Sequence, residues 1–293
     1  MRLFLPFALL SLVACVSSPV TSKSEATDLF SYGEAVAQIQ PLALNEISGM
    51  VESDTYPQHF WVHNDSGDDP NIYLINLRGE LVATVELDAI NIDWEDIAIH
   101  NSKIYVGEIG DNNTIHPCKK IYRIDEPQVD TTHLDATIKS SRVETMQLNF
   151  ADTKRDCETL MVDPLSGDLL FVTKREDWVF LYQTPFIATS ASEEILVKRT
   201  GQLQIHEATG GDISRDGVHI LIKNYDKIYY YTRDIENETL SQALSKRPIT
   251  LPYQREPQGE AIAWSHDSNS FYTISEKSMR STEMPHIYRY TRR

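Results

Sequence analysis

Five acidic residues each open, or lie just inside, a short stretch of apolar and small residues. They are Glu46 in NEISGMV, Glu95 in WEDIAIH, Glu158 in CETLMVD, Asp212 in GGDISRD and Glu260 in QGEAIAW. A carboxylate at the mouth of a buried strand is costly unless it has a partner. The spacings of 49, 63, 54 and 48 residues make this a repeat, and a repeat asks for a geometric cause. Acids gathered at one place repel one another unless a cation or fixed donors compensate them, or some protonate. Ca²⁺ is the natural cation for such a set, since it takes about six to eight oxygen ligands. Zinc is not, because no Cys/His cluster accompanies the acids.

The elements that would position them follow the same repeat. After each acid comes a second strand: HFWVHNDS, KIYVGEIGD, DLLFVTKRE, HILIKNYD and SFYTISEK. A third carries an aromatic signature: NIYLINL, KIYRIDE, WVFLYQT, KIYYYTR and HIYRYTR. A fourth is looser, as in ELVATVEL, VETMQLNF, ILVKRTGQLQI and RPITLPY. β-Branched and aromatic runs bounded by turn residues read as strands. Four strands in roughly fifty residues is the signature of a propeller blade. The chain therefore reads as an all-β protein, a β-propeller of five four-stranded blades, with six as the alternative. The long second spacing is explained by a polar insertion, PQVDTTHLDATIKSS, and short helices are expected in SASEEIL or NETLSQALS. Tyr73, Tyr122, Tyr182, Tyr229 and Tyr288 recur on third strands and suit packing between blades. The last unit ends after its third strand, so the segment from Glu34 to Gln40 is expected to pair near Ile287 to Tyr290 and close the ring.

In such a ring the first strands line a channel, and the start of strand one shares a face with the end of strand two. All five acids are expected at that mouth as metal ligands. The ends of the second strands add Asn64, Asp65, Glu108, Asp111 and Asn112 on one side, and Lys174, Arg175, Lys223, Asn224 and Lys277 on the other. Arg155 and Arg255 lie just upstream of their inner strands. The mouth is thus polarised. It is either plugged by salt bridges, or holds an axial cation, or takes a small anionic ligand. For a calcium-dependent phosphoesterase, Lys174, Arg175, Lys223 and Arg255 are the catalytic candidates, stabilising a transferring phosphate. A scaffold binding proteins through its blade loops is a further alternative. His63 and His206 fall near the mouth but read as strand-end residues, and NDSGDDPN as a polar turn. No GxSxG, P-loop or HExxH motif is present.

The chain has 293 residues and a formal charge of −16, which argues against a nucleic-acid partner. It opens MRLFLPFALLSLVAC, a positive residue followed by an apolar run too short to anchor stably. LVAC resembles a lipobox, with Cys15 as the lipidated residue. The expected organisation is a signal peptide over 1–14, a lipidated cysteine and tether over 15–32, and a propeller over 33–293. The protein is expected to be exported, held by its lipid on the periplasmic side of the outer membrane, and monomeric. Cys118 and Cys157, in an oxidising compartment, are expected to form a disulfide.

NEISGMV with HNDSGDDPNIYLIN, WEDIAI with IYVGEIGDN, CETLMVD, ATGGDIS and QGEAIAW together resemble secreted and lipid-anchored bacterial propellers of the esterase-like phytase and SdiA-regulated families. The acid opening each inner strand is also similar to the rhythm of calcium-activated nucleotidases, which are five-bladed with Ca²⁺ on the axis. The resemblance covers about Glu46 to Arg293. It implies channel acids at Glu46, Glu95, Glu158, Asp212 and Glu260, with calcium as the cofactor.

Overall fold

The computed structural model describes residues 29–116, 118–140 and 142–293. The expected signal peptide and lipidated Cys15 lie outside the described residues. Five sheets, each built on an antiparallel set of four strands, stand in a ring, so the fold is a five-bladed β-propeller. Blade one is β2 (Ile47–Glu52), β3 (His59–Asn64), β4 (Asn71–Asn76) and β5 (Leu81–Glu86). Blade two is β6 (Trp94–His100), β7 (Lys103–Glu108), β8 (Lys119–Asp125) and β10 (Glu144–Phe150). Blade three is β11 (Cys157–Val162), β12 (Asp168–Thr173), β13 (Phe180–Pro185) and β15 (Arg199–Gln202). Blade four is β16 (Gly210–Ile213), β17 (His219–Lys223), β18 (Ile228–Thr232) and β19 (Ile249–Leu251). Blade five is β20 (Gly259–Trp264), β21 (Ser270–Ser275), β22 (His286–Thr291) and β1 (Glu34–Gln38). Each inner strand contacts the inner strands of the blades on either side, and β20 contacts β2 to complete the circle.

Burial follows position in the blade. β2, β11 and β20 are buried along their whole length, whereas the outer β5 alternates. That is the pattern for strands covered on both faces inside and on one face outside. Five apolar clusters fill the five seams. The third-strand tyrosines all pack there: Tyr73, Tyr122 and Tyr182 within clusters, Tyr229 and Tyr288 against them.

Closure occurs as expected, with Glu34 opposite Arg289 and Gln38 opposite His286. The chain is tied in still earlier. Phe30 bridges to Arg292, is 1% exposed, and packs edge-on to Tyr230 and Phe271. Two further strands were not expected. The polar insertion of blade two sends β9 (Ala136–Lys139) back to blade one, parallel to β5. Blade three likewise sends β14 (Ile195–Val197) back to β10. Both blades thereby become five-stranded, with outer edges held by a neighbour's chain. The helix α1 (Leu240–Leu244) forms in NETLSQALS, where Thr239 and Gln242 make a capping box; SASEEIL leads into β14 instead.

The expected disulfide is absent: Cys118 and Cys157 are free thiols. Cys157 is buried in the seam between blades two and three and donates to the Val172 carbonyl at 3.1 Å. The charge of Lys119 acts on that thiol, and alternation along the strand turns its neighbour Cys118 to the other face, toward Gln147.

Ring closure gives a first prediction. Phe30→Ala removes a fully buried ring and is expected to cost about 3–5 kcal/mol of unfolding free energy, measured by urea denaturation. A loss below about 1 kcal/mol would mean that the N-terminal segment does not hold the ring.

Candidate metal centre at the channel mouth

Four of the five inner strands bulge at the same place. The ladder slips between Ile47 and Gly49, Trp94 and Asp96, Cys157 and Thr159, and Gly259 and Ala261. A bulge re-aims the extra residue. The residues at those bulges are Ser48, Glu95, Glu158 and Glu260. Blade four has no bulge, since Gly210 and Gly211 pair regularly with Lys223 and Ile222.

The structure therefore divides the five predicted acids. Glu95, Glu158 and Glu260 are equivalent and buried. Glu46 is exposed and lies two residues before its bulge, where blades two and three carry Asp93 and Asp156. The backbone confirms this equivalence. The carbonyls of Glu46, Asp93, Asp156 and Gln258 each accept from a residue just past strand two: Asp65, Gly110, Lys174 and Glu276 respectively. Asp212 sits on the regular ladder of blade four, where its carboxylate accepts from the N–H groups of Ile213 and Trp264, both at 2.8 Å.

Asp93 and Asp156 were missed in the sequence, although a signal was present. DWE and DCE place an acid two residues before the bulge acid in consecutive blades. Carboxylate oxygens of Asp65, Asp93 and Glu95 lie within 4.8 Å of one another, as do those of Glu95, Asp156 and Glu158. Glu95 belongs to both groups.

Compensation is uneven around this mouth. Lys174 reaches from blade three to Glu158 at 2.7 Å and to Glu260 of blade five at 4.0 Å. Tyr225 of blade four links the two, accepting from Lys174 at 3.1 Å and donating to Glu260 at 2.7 Å. Asp156 accepts from Arg175 at 2.6 Å and from the Asp111 N–H at 2.8 Å. By contrast, among the described residues no hydrogen bond or ion pair engages the carboxylates of Asp93 and Glu95. Gly110 stands where blade three has Lys174. A Cβ there would lie 2.1 Å from Glu95 Oε1 and 2.4 Å from the Asp93 carboxyl carbon. Its lack of a side chain makes the space these acids fill.

Electrostatics follows the geometry. Burial raises Glu95 well above the ordinary carboxylate range, and the charges of Glu158, Asp65, Asp93 and Glu260 add to it. Burial likewise pushes Glu158 up to about 8 against the pull of Lys174. Glu276, also desolvated and facing Glu260, rises to about 8, and Asp65 to about 6.

The four basic candidates are mostly committed elsewhere. Lys223 is fully buried and donates to the Gly259 carbonyl; burial lowers it to about 8. Arg255 pairs with Asp226 at 2.7 Å on the surface. Arg175 pairs with Asp156 and also meets Asn112. At the opposite mouth Arg215 of blade four crosses to blade one, pairing with Asp54 at 2.9 Å and donating to the Glu52 carbonyl at 2.7 Å. That end is closed. His63 is buried in blade one, with Nδ1 against the Asn64 carbonyl at 2.9 Å and its ring edge-on to Trp94. His206 is exposed.

Fold and site together define a five-bladed β-propeller with an acidic, incompletely compensated cluster at one end of its inner strands. No protein-family model matches the chain, and no curated protein matches it.

The raised carboxyls predict a pH dependence. Between about pH 5 and 8 the folded mouth holds protons that the unfolded chain has already released, so folding binds protons there. Raising the pH through that window is expected to lower the stability of the cation-free protein. Buried His63, lowered to about 4, acts in the opposite sense below about pH 6.5, and Lys223 does so above about pH 8, so the several raised carboxyls dominate most clearly between about pH 6.5 and 8. Urea titrations in EGTA at successive pH values measure this, and stability that stays flat or rises from about pH 6.5 to 8 would contradict it.

Proposed function

We propose that this protein is an exported, lipid-anchored propeller that binds a calcium ion at its channel mouth. Asp65, Asp93 and Glu95 would be the principal ligands, with Asp156 and Glu158 beside them. One observation carries this reading: the carboxylates of Asp93 and Glu95 are buried together with no hydrogen bond or ion pair among the described residues, in a space kept open by Gly110, and the charges of Lys119 and His116 reach Asp93 only from a distance. A divalent cation would relieve their repulsion. The donors are all oxygen, which favours calcium over zinc. The blade rhythm shared with calcium-activated nucleotidases supports the same choice, and the lipobox at Cys15 supports the anchor.

A binding module fits better than a phosphoesterase. Lys174 and Lys223 are buried against internal acceptors, which leaves only the arginines Arg175 and Arg255 of the four candidates near solvent. A phosphate in flight needs free cations aimed at it.

A thermal melt in EGTA and in Ca²⁺ tests the site. At a hundredfold excess over Kd the ion is expected to stabilise by about 2.7 kcal/mol. Glu95→Gln and Gly110→Ala are each expected to abolish most of that shift, the second by driving a methyl into the carboxylates. Calcium that stabilises both variants as well as the wild type would place the ion elsewhere. Phosphate release from phytate and nucleotides is expected to be absent; turnover lost in Arg175→Ala would restore the hydrolase reading.

A further inference from the structure

A second site lies away from the axis, at the seam between blades three and four. Of the four tryptophans, Trp61, Trp94 and Trp264 are buried, while Trp178 is 44% exposed. Trp178 sits in the loop between β12 and β13 and is held in place by the next residue. The Val179 N–H donates to the Ile205 carbonyl at 3.2 Å, and its carbonyl accepts from Leu203 at 2.8 Å. Leu203 and Ile205 are buried in the seam, and the intervening Gln204 and preceding Gln202 are exposed. Across the seam stand Arg247 and Pro248, from the connection between α1 and β19. Together these residues line a groove of about 610 Å³. That volume lies in the range of roughly 300–1,000 Å³ usual for small-molecule sites.

The side chains here are not spent on the fold. Among the described residues no hydrogen bond or ion pair engages the side chains of Trp178, Gln202, Gln204 or Arg247. The neighbouring Lys246, by contrast, is paired with Glu238. An aromatic platform, two free amides and a free guanidinium fork thus face one groove.

The geometry points to an oligosaccharide-binding site, with a sugar ring stacked on Trp178 and its hydroxyls held by Gln202, Gln204 and Arg247. Each ligand feature has its counterpart. A pyranose presents an apolar C–H face, which the indole covers, and Trp adds an N–H donor. A glutamine amide offers a donor and an acceptor side by side, which matches a hydroxyl that is both. The guanidinium fork spans two neighbouring oxygens. A purely apolar partner would bury the amides unpaired, which is costly. A cationic partner over the indole would meet Arg247. The site is independent of the axial mouth, so calcium is not required.

The test uses the purified protein with short cello-, chito-, malto- and uronic oligosaccharides, followed by calorimetry and tryptophan fluorescence. Because the other indoles are buried, a spectral change on binding reports Trp178. At least one oligosaccharide is expected to bind, and Trp178→Ala to weaken it at least about tenfold. Trp178→Phe should weaken it less, and Gln204→Ala and Arg247→Ala each several-fold. These positions are exposed, so unchanged melting temperatures are expected to show that the variants fold. Failure of every oligosaccharide to bind overturns the assignment. So does binding that survives Trp178→Ala unchanged.

Discussion

Carboxylates that cannot move apart organise the axis of this protein. The inner strands converge, and bulges in three of them turn Glu95, Glu158 and Glu260 into the same mouth. Asp65, Asp93, Asp156 and Glu276 crowd the same face. Like charges so close and so far from water raise one another's proton affinity, and the structure can answer only with cations or with protons. Lys174 answers for one side. It reaches past blade four to join Glu158 to Glu260, with Tyr225 as an intermediate donor and acceptor. The other side has no ammonium in contact with Asp93 or Glu95, since Lys119 turns to Asp111 and the Gly110 carbonyl, and it is there that blade two carries glycine instead of a long side chain.

The two ends of the channel differ for the same reason. At the far end Arg215 crosses the ring and is matched by Asp54 and the Glu52 carbonyl. One guanidinium and its acceptors make a closed plug. At the near end two ammonium groups, Lys174 beside Glu158 and Lys119 beside Asp111, face a larger number of acids. A fully paired mouth would be a second plug; an unevenly paired one retains an electrostatic demand that a ligand can meet. The buried Lys223 shows that a lysine near this mouth need not meet it. Its ammonium is turned to the Gly259 carbonyl, under the ring of Tyr253.

Much of the fold was legible because a blade repeats. The spacing of acids, the aromatic third strands and the missing last strand located five units and the closing segment, and β1 pairs where that reasoning put it. The strands β9 and β14 were not legible, since each leaves its own repeat to pair in parallel with a neighbour. A polar insertion such as DATIKSS has no burial pattern to betray it. The site was legible only to within two residues. Aligning apolar runs put Glu46 and Asp212 in line with Glu95, whereas the bulges put Ser48 there and leave Asp212 on a regular ladder. A bulge inserts one residue without changing composition, so it shifts which acid faces the channel without leaving a mark in the strand pattern. The D-x-E spacing of DWE and DCE was the better guide, because two acids flanking one strand residue are wanted only where both can point inward.

The placement of ligands also explains why the mouth matters to the whole ring. A propeller blade packs its apolar faces against its two neighbours, so closure rests on every seam holding at once. Asp65 comes from blade one, Asp93 and Glu95 from blade two, Asp156 and Glu158 from blade three. An ion among them would tie three blades together at the axis. Lys174 ties blade three to blade five through the Tyr225 of blade four. The two cations would overlap at blade three, through Glu158, and between them reach every blade. Ion and ammonium would then act in series on one ring, which the strand β1 closes from outside. Loss of the ion would then loosen no single loop. It would remove one of two central ties from a structure in which each blade depends on the next, and the cost would fall on cooperative unfolding of the whole domain.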